Sequence, residues 1–170
     1  GKPLLSFRGL PMIEHVRRRA VLSGAFSDVV VATCDREIAD VIEDYGGRVI
    51  MTADTHPGAT DRLAEAMERL NCTHVVNVQG DEILIPPDDL VAMVRAVEAR
   101  PEVPAWNAVS RIERGDELGD PSIVKAAVSR SGRVLYCARD FSTLTSRPGA
   151  DEALRKILGI LGYRRDFLER

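Results

Sequence analysis

The stretch richest in chemistry is Val75-Val76-Asn77-Val78-Gln79-Gly80-Asp81-Glu82. A short apolar run there delivers an amide, a glycine and two carboxylates in succession. In open α/β sheets ligands bind at the carboxyl ends of strands, so this position suits a site. An Asp at such an end can hold Mg²⁺, which takes one or two carboxylates together with phosphate oxygens and water. The same residues also read as a solvated turn after a core strand, and the pattern alone leaves both readings open. Lys2, set between Gly1 and Pro3, could aim an ammonium at phosphate and stabilise charge during phosphoryl transfer. Its plainer reading is an exposed lysine. Thr60-Asp61-Arg62 opens a helix, whose free N–H groups and the five donors of Arg62 could take a phosphate or a base edge. The plainer readings there are Thr60 as an N-cap and Arg62 as a surface charge. Lys125 alternates with apolar neighbours on a strand, and Arg139 follows a strand end. Each could meet an anionic substrate or stand as a solvated edge charge. His15, His56 and His74 are dispersed, with no metal-ligand spacing. The nucleophile elbow, the phosphate-binding P-loop and the dinucleotide glycine pattern are all missing from the sequence.

These residues need a scaffold, and the hydrophobic pattern supplies one. Short apolar runs alternate with amphipathic stretches, which predicts α/β architecture. Pro11 opens a helix over Met12–Ser23, with Ile13, Val16 and Ala20 on one face and Gly24 as the C-cap. Val29–Ala32 is a strand. Asp35 caps a helix through Tyr45, and Arg48–Met51 is a strand. Thr60 is expected to cap a helix facing inward through Leu63, Met67 and Leu70. Val75–Val78 is a strand, and Pro86-Pro87 starts a helix with Leu90, Val94 and Val97 on one face. Beyond it, Ala105–Ile112, Ile123–Ser129 and Val134–Cys137 read as strands, the last two forming a hairpin about Ser131-Gly132. Asp151–Lys156 reads as a short helix, Leu158–Tyr163 as a strand, and Arg165–Arg170 as the start of a helix. A mixed sheet follows, with antiparallel strands added to a βα nucleotide-binding half.

Composition narrows the class. The 170 residues fit one domain, with 45% hydrophobic and 29% charged residues and a formal net charge of −3. That is too apolar for a disordered chain, and no apolar run reaches the ~20 residues of a membrane span. Mild acidity argues against a dedicated nucleic-acid binder. Cys34, Cys72 and Cys137 cannot all pair and match no zinc or redox spacing, which predicts reduced thiols in a cytosolic protein. No signal peptide is recognisable. The chain opens on Gly1 rather than Met and stops within a helical pattern, so both ends read as cut from a longer polypeptide.

Taken together, several segments resemble the CTP-dependent sugar-acid cytidylyltransferases, and within them the 3-deoxy-manno-octulosonate (Kdo) cytidylyltransferase family. In that family's order stand Gly1-Lys2-Pro3-Leu4, Pro11-Met12-Ile13-Glu14-His15-Val16 and Val30-Val31-Ala32-Thr33-Cys34-Asp35. Thr60-Asp61-Arg62-Leu63-Ala64-Glu65, Val76-Asn77-Val78-Gln79-Gly80-Asp81-Glu82, Val134-Leu135-Tyr136-Cys137-Ala138-Arg139 and Gly159-Ile160-Leu161-Gly162-Tyr163-Arg164 follow. The resemblance covers essentially the whole chain. The Val-Asn-Val-Gln-Gly-Asp-Glu string is specific, whereas Gly-Lys-Pro-Leu is shared by many sugar nucleotidyltransferases. It implies a three-layer α/β nucleotidyltransferase fold, a cytoplasmic homodimer, and transfer of a cytidylyl group from CTP to a 3-deoxy-ulosonic acid with release of pyrophosphate. Lipopolysaccharide synthesis would consume the product if the acid is Kdo. By matched position, Asp81 would bind Mg²⁺ and Lys2 the phosphates. Arg62 and Gln79 would place CTP and sugar, and Arg139 would meet the sugar carboxylate as a bidentate partner. Lys125 stands in the family's substrate-binding segment.

The departures from that pattern matter equally. The family's phosphate loop before Gly-Lys-Pro-Leu and a second metal-binding Asp are not in this sequence. Ser-Gly-Thr-Glu-Arg becomes Gly58-Ala59-Thr60-Asp61-Arg62, and Ile-Pro-Trp becomes Phe141-Ser142-Thr143. Asn-Pro-Asn-Ala-Val-Lys becomes Asp120-Pro121-Ser122-Ile123-Val124-Lys125. Ile157 and Leu161 stand where the family's sugar pocket has His and Tyr. Apolar groups cannot satisfy sugar hydroxyls, and a buried polar group left unpaired costs about 1–3 kcal/mol. The expectation is an altered acceptor or lost activity. The alternative to an enzyme is a degenerate, non-catalytic homologue that binds nucleotide or dimerises. A third reading is a nucleotidyltransferase for a methylerythritol phosphate, against which Arg139 argues.

Overall fold

The computed structural model describes residues 1–141 and 153–169. The expected residues 142, 143, 151, 152 and 170 fall outside these. The chain divides into two compact units: Gly1–Trp106 with Ile160–Arg170, and Asn107–Gly159.

In the first unit, Lys2–Leu4 forms a 3-10 turn, and β1 (Ser6–Phe7) and β2 (Leu10–Pro11) form a small antiparallel ribbon. Neither has a hydrophobic period to announce it. Helix α1 (Met12–Ser23) ends at Gly24, whose φ of 62° lies in the left-handed region that favours glycine. Its buried residues are Glu14, Val16 and Ala20. Glu14, fully buried, accepts from Arg17 Nε at 2.7 Å and Arg17 Nη2 at 2.8 Å, and from Arg18 Nε at 2.6 Å. Burial alone would raise its pKa. The two arginines outweigh that and hold the carboxyl below its ordinary value.

Strand β3 (Val30–Thr33) pairs in parallel with β4 (Arg48–Met51), Val30 opposite Arg48 and Thr33 opposite Met51. Between them runs α2 (Arg36–Asp44). The Asp35 side chain caps it by accepting from the Glu37 N–H at 2.9 Å. Gly47 follows where a Cβ would sit 2.5 Å from Ile42, so the approach admits only glycine. Helix α3 (Ala59–Glu68) buries Leu63, Ala66 and Met67. Its N-cap is Gly58 and no side chain caps it, so Thr60 lies within the first turn. Strand β5 (His74–Val78) pairs antiparallel with the end of β9 (Leu154–Arg164), from His74↔Arg164 to Val78↔Ile160. Helix α4 (Pro87–Ala99) follows Pro86 and buries Leu90, Met93 and Val97, leaving Val94 half-buried. Helix α5 (Arg165–Leu168) closes the unit. Trp106 meets the His74 ring edge-on at 5.9 Å, and its buried Nε1 has no hydrogen-bond partner among the described residues.

The second unit holds most of β6 (Ala105–Arg111), a 3-10 turn over Gly115–Leu118, and the hairpin of β7 (Lys125–Val128) and β8 (Val134–Ala138). The start of β9 pairs antiparallel with β7: Ala127↔Leu154, Ala126↔Arg155 and Lys125↔Lys156. This corrects the expected short helix at Leu154, Arg155 and Lys156; the expected residues Asp151 and Glu152 lie outside the described ones. Long-range pairing, with Leu154 buried, overrides the local preference of Leu-Arg-Lys for helix. Leu118, Phe141 and Leu154 make the core, with Ile112, Ala127 and Ala138 packed on it. Parallel and antiparallel pairings and flanking helices make the architecture mixed α/β, as expected.

Candidate nucleotide site

At the carboxyl end of β5 the chain turns sharply. The Glu82 N–H donates to Gln79 O at 3.1 Å and the Ile83 N–H to Asp81 O at 2.9 Å. Buried Ile85 anchors the far side of this turn. The other partner arrives from the opposite end of the sequence. The Lys2–Leu4 turn closes through Leu4 N–H to Gly1 O, and the Met12 N–H to Leu5 O ties its exit to α1. These two turns bring Lys2 Nζ to 2.8 Å from Asp81 Oδ2. The Lys2 hydrogen bond is the largest influence on Asp81 and holds its carboxyl below the usual range, so Asp81 is ionised at neutral pH. The side chains remain 64% and 48% exposed, which leaves both within reach of a solute.

Arg62 lies on α3 one turn past Gly58. Its guanidinium donates to the Thr52 hydroxyl and, at 3.3 Å, to the Ala53 carbonyl. One turn further on, Glu65 accepts from the Ala53 N–H at 2.9 Å and pairs with His56 Nε2. Led by the His56 bond, these partners lower the Glu65 pKa. The first turns of α3 therefore clamp the loop after β4. Sequence reasoning singled out Arg62 but missed Glu65 and His56, although Glu65 stands in the same Thr-Asp-Arg-Leu-Ala-Glu string. Arg62, Gln79 and Gly80 line a cavity of about 1920 Å³ in this unit, while Lys2 and Asp81 lie outside its lining.

Lys125 and Arg139 belong to the second unit. Lys125 is fully buried, and its Nζ donates to the Asp120 and Arg139 carbonyls. This corrects the reading of Lys125 as a solvated edge charge. Its ammonium is engaged by backbone, as a buried charge requires. The loop that it holds is closed by Asp120, whose Oδ1 accepts from the Ser122 N–H at 2.8 Å and its hydroxyl at 2.7 Å. Arg139 is exposed and donates through Nη1 to Pro121 O at 2.7 Å. Thus Lys125 and Arg139 hold the adjacent carbonyls of Asp120 and Pro121. Ile157 is half-buried, its N–H donating to Val124 O at 2.9 Å. Leu161 is half-buried opposite Asn77 of β5.

Cys34, Cys72 and Cys137 are all free, and burial pushes the Cys72 thiol up. Among the described residues no three His, Cys, Asp or Glu side chains converge as a metal cage, and no helix is long and apolar enough to cross a membrane.

Comparison with known proteins shows the family. Residues 1–166 match the cytidylyltransferase family. The 3-deoxy-manno-octulosonate cytidylyltransferase of Halorhodospira halophila is 36% identical over 181 residues, covering 100% of this chain and 70% of that protein. Its Escherichia coli counterpart is 36% identical over 170 residues, covering 99% and 68%. A solved CMP:2-keto-3-deoxy-manno-octonic acid synthetase complexed with CTP superposes with a TM-score of 0.90 at 35% identity, covering 99% of this chain and 69% of that one. The 4-diphosphocytidyl-2C-methyl-D-erythritol synthase of Anaerococcus prevotii, at 10% identity and a TM-score of 0.60, shares the fold alone. With a match along nearly its whole length and identity above a third to such relatives, this chain belongs to the cytidylyltransferases, a family of nucleotidyltransferase enzymes.

Proposed function

We propose that the protein transfers the cytidylyl group of CTP to Kdo. The observation that carries this reading is the Lys2–Asp81 pair, exposed at the carboxyl end of β5 in a chain of this family. In the reaction the anomeric hydroxyl oxygen of the sugar bonds to the α-phosphorus of CTP. The bond from that phosphorus to the oxygen bridging to the β-phosphate breaks. Pyrophosphate leaves with the electron pair, and the hydroxyl proton is released. Such a step is catalysed by positioning and charge neutralisation.

The residues fit these tasks. Phosphate oxygens offer the Lys2 ammonium a second anionic partner beside Asp81. Asp81, a single exposed carboxylate with Glu82 next to it, suits a cation that draws most of its ligands from phosphate and water, as Mg²⁺ does. When bound, Mg²⁺ would screen the triphosphate charge. Arg62 and Gln79, both in the lining of the cavity, serve CTP and sugar placement. Arg139 has five donors, of which Nη1 donates to Pro121 O among the described residues, and serves the sugar carboxylate. Lys125 acts as a positioning residue through the Arg139 carbonyl. On the same reading the protein is a cytoplasmic homodimer that supplies lipopolysaccharide synthesis.

The test is pyrophosphate release from CTP and Mg²⁺, with and without Kdo, with GTP as comparator. Kdo-dependent release with CTP alone is expected. Release with no acceptor requirement, or none at any substrate level, overturns the proposal. If Kdo is refused, Ile157→His with Leu161→Tyr asks whether the two apolar residues are the reason.

A further inference from the structure

By its spacing Glu65 is half of a helix-surface pair. Arg69 stands four residues on, with Nη2 at 3.8 Å from Glu65 Oε1. The Arg69 side chain is 57% exposed, and such a pair contributes little. The other carboxylate oxygen is used differently. Oε2 accepts the Ala53 N–H at 2.9 Å and meets His56 Nε2. The Glu65 and His56 side chains are only 23% and 20% exposed, so both contacts are sheltered from water.

Ala53 is thereby held at both of its polar backbone groups. Glu65 takes the N–H, while Arg62 Nη1 donates to the carbonyl at 3.3 Å and to the Thr52 hydroxyl. Arg62 and Glu65 are three residues apart, so they project from one side of α3. The peptide that they grip is itself anchored. Thr52 is buried, and its N–H donates to Thr33 O at 2.9 Å where the β3–β4 pairing ends. The guanidinium is therefore braced on the end of that strand pair.

Only Nη1 is spent in this way. Among the described residues Arg62 Nε and Nη2 have no protein partner, and Arg62 lines the cavity that Gln79 and Gly80 also line. The Nε–H and one Nη2–H run parallel, which suits two oxygens of a phosphate side by side. An arginine side chain is long and has many rotamers, so this edge keeps one direction only while Nη1 is tied down.

On the reading of Arg62 as a CTP residue, we infer that Glu65 is a positioning residue for the nucleotide, an inference that rests on that reading. Glu65 locks the Ala53 peptide, and the peptide locks Arg62 Nη1. The Nε–Nη2 edge is then kept for the CTP phosphates. His56 serves the same end by holding the Glu65 carboxylate. Glu65 acts through Arg62 and needs no contact with substrate.

The experiment is a double-mutant cycle in CTP affinity, measured by calorimetry on the full 170-residue chain with Mg²⁺ present. It compares Glu65→Ala, Arg62→Ala and the double variant, each checked for folding by thermal melting. Each single variant is expected to weaken CTP binding about tenfold, the effect of losing one charged hydrogen bond. The double variant should bind no more weakly than Arg62→Ala, because Glu65 acts only through Arg62. Glu65→Gln keeps an oxygen for the Ala53 N–H and should restore affinity to within about threefold of the unaltered chain. If Glu65→Ala does not fold, His56→Ala takes its place in the cycle with the same expectation of non-additivity. Additive losses overturn the proposal, as does unchanged affinity in either single variant. Pyrophosphate release by the unaltered chain is followed alongside. A chain that binds CTP with this non-additivity, yet releases no pyrophosphate with Kdo, overturns the transfer reading alone. One that releases pyrophosphate but shows additive losses overturns the positioning role alone. A chain that binds no CTP overturns both.

Discussion

Replacing Lys125 by Met separates the charge of this buried side chain from its bulk. Methionine keeps an unbranched apolar stem of similar length and deletes the ammonium. Two charge-assisted hydrogen bonds, to Asp120 O and Arg139 O, are lost, each worth about 1.5–3 kcal/mol. Against this stands the desolvation of a fully buried ammonium, several kcal/mol that methionine does not incur. The freed carbonyls regain water, because Asp120 is half-buried and Arg139 exposed. The net expectation is a loss of about 1–2 kcal/mol, and a chain of this size shifts roughly 2–4 °C per kcal/mol. The local effect should be sharper. With Lys125 gone, the segment from Asp120 to Ser122 and the end of β8 keep the Arg139–Pro121 hydrogen bond but lose the buried tie through the Lys125 ammonium. Amide exchange across residues 120–125 and 136–141 should accelerate while that of α1 and α2 does not. In the pyrophosphate assay KM for Kdo should rise about tenfold, a loss of about 1.4 kcal/mol in acceptor binding, with KM for CTP unchanged. Unchanged exchange in both segments together with an unchanged KM for Kdo would refute the reasoning and leave Lys125 a passive filler.

Asp81→Asn should lower kcat by on the order of 100-fold or more, while stability moves by less than about 1 kcal/mol, since the pair with Lys2 is solvent-exposed. Equal activity in the pyrophosphate assay would remove Asp81 from the site. Glu117 is held at about 2, first by the Lys156 hydrogen bond and then by the Glu113 N–H, against an ordinary value of 4.5. Because the folded value is depressed, its stabilisation is complete above pH 4.5 and is lost as pH falls from there through 2. Amide exchange at residues 113–118 should quicken across that window, and Glu117→Gln should flatten the response. Trp106→Phe keeps the ring beside His74 and removes a buried N–H that lacks a partner, so stability should be unchanged or rise by up to about 1 kcal/mol. A chemical denaturation curve showing a loss above about 2 kcal/mol would mean that the indole N–H is satisfied in solution.

The first unit was legible where capping chemistry is local. Pro11, Gly24 and Asp35 bound α1 and α2 within a residue of expectation because each acts on its own neighbours. Thr60 misled because Gly58 already supplies the extended residue at which α3 begins. Of the candidate site, the residue types were readable, but the meeting of Lys2 with Asp81 was not. It depends on a 3-10 turn too short to leave a periodic pattern. Glu14 carries a visible signal, with arginines three and four positions on, but that spacing usually marks a solvated face rather than a buried carboxylate. The burial of Lys125 had no signal at all, since its partners are backbone carbonyls and any residue offers one. The start of β9 was hidden for a related reason: its helical-looking residues are recruited by β7 from far away in sequence.

The pairing of β5 with β9 also sets an order of events during synthesis. Val78 meets Ile160 and His74 meets Arg164, so each bond joins residues about 80 to 90 positions apart. At roughly 5–20 residues per second, β5 leaves the ribosome on the order of ten seconds before its partner exists. Residues 107–159, contiguous in sequence, are complete before that partner ends. For that interval the Val-Val-Asn-Val run lacks its β9 neighbour, and its exposed apolar edge is open to misassociation.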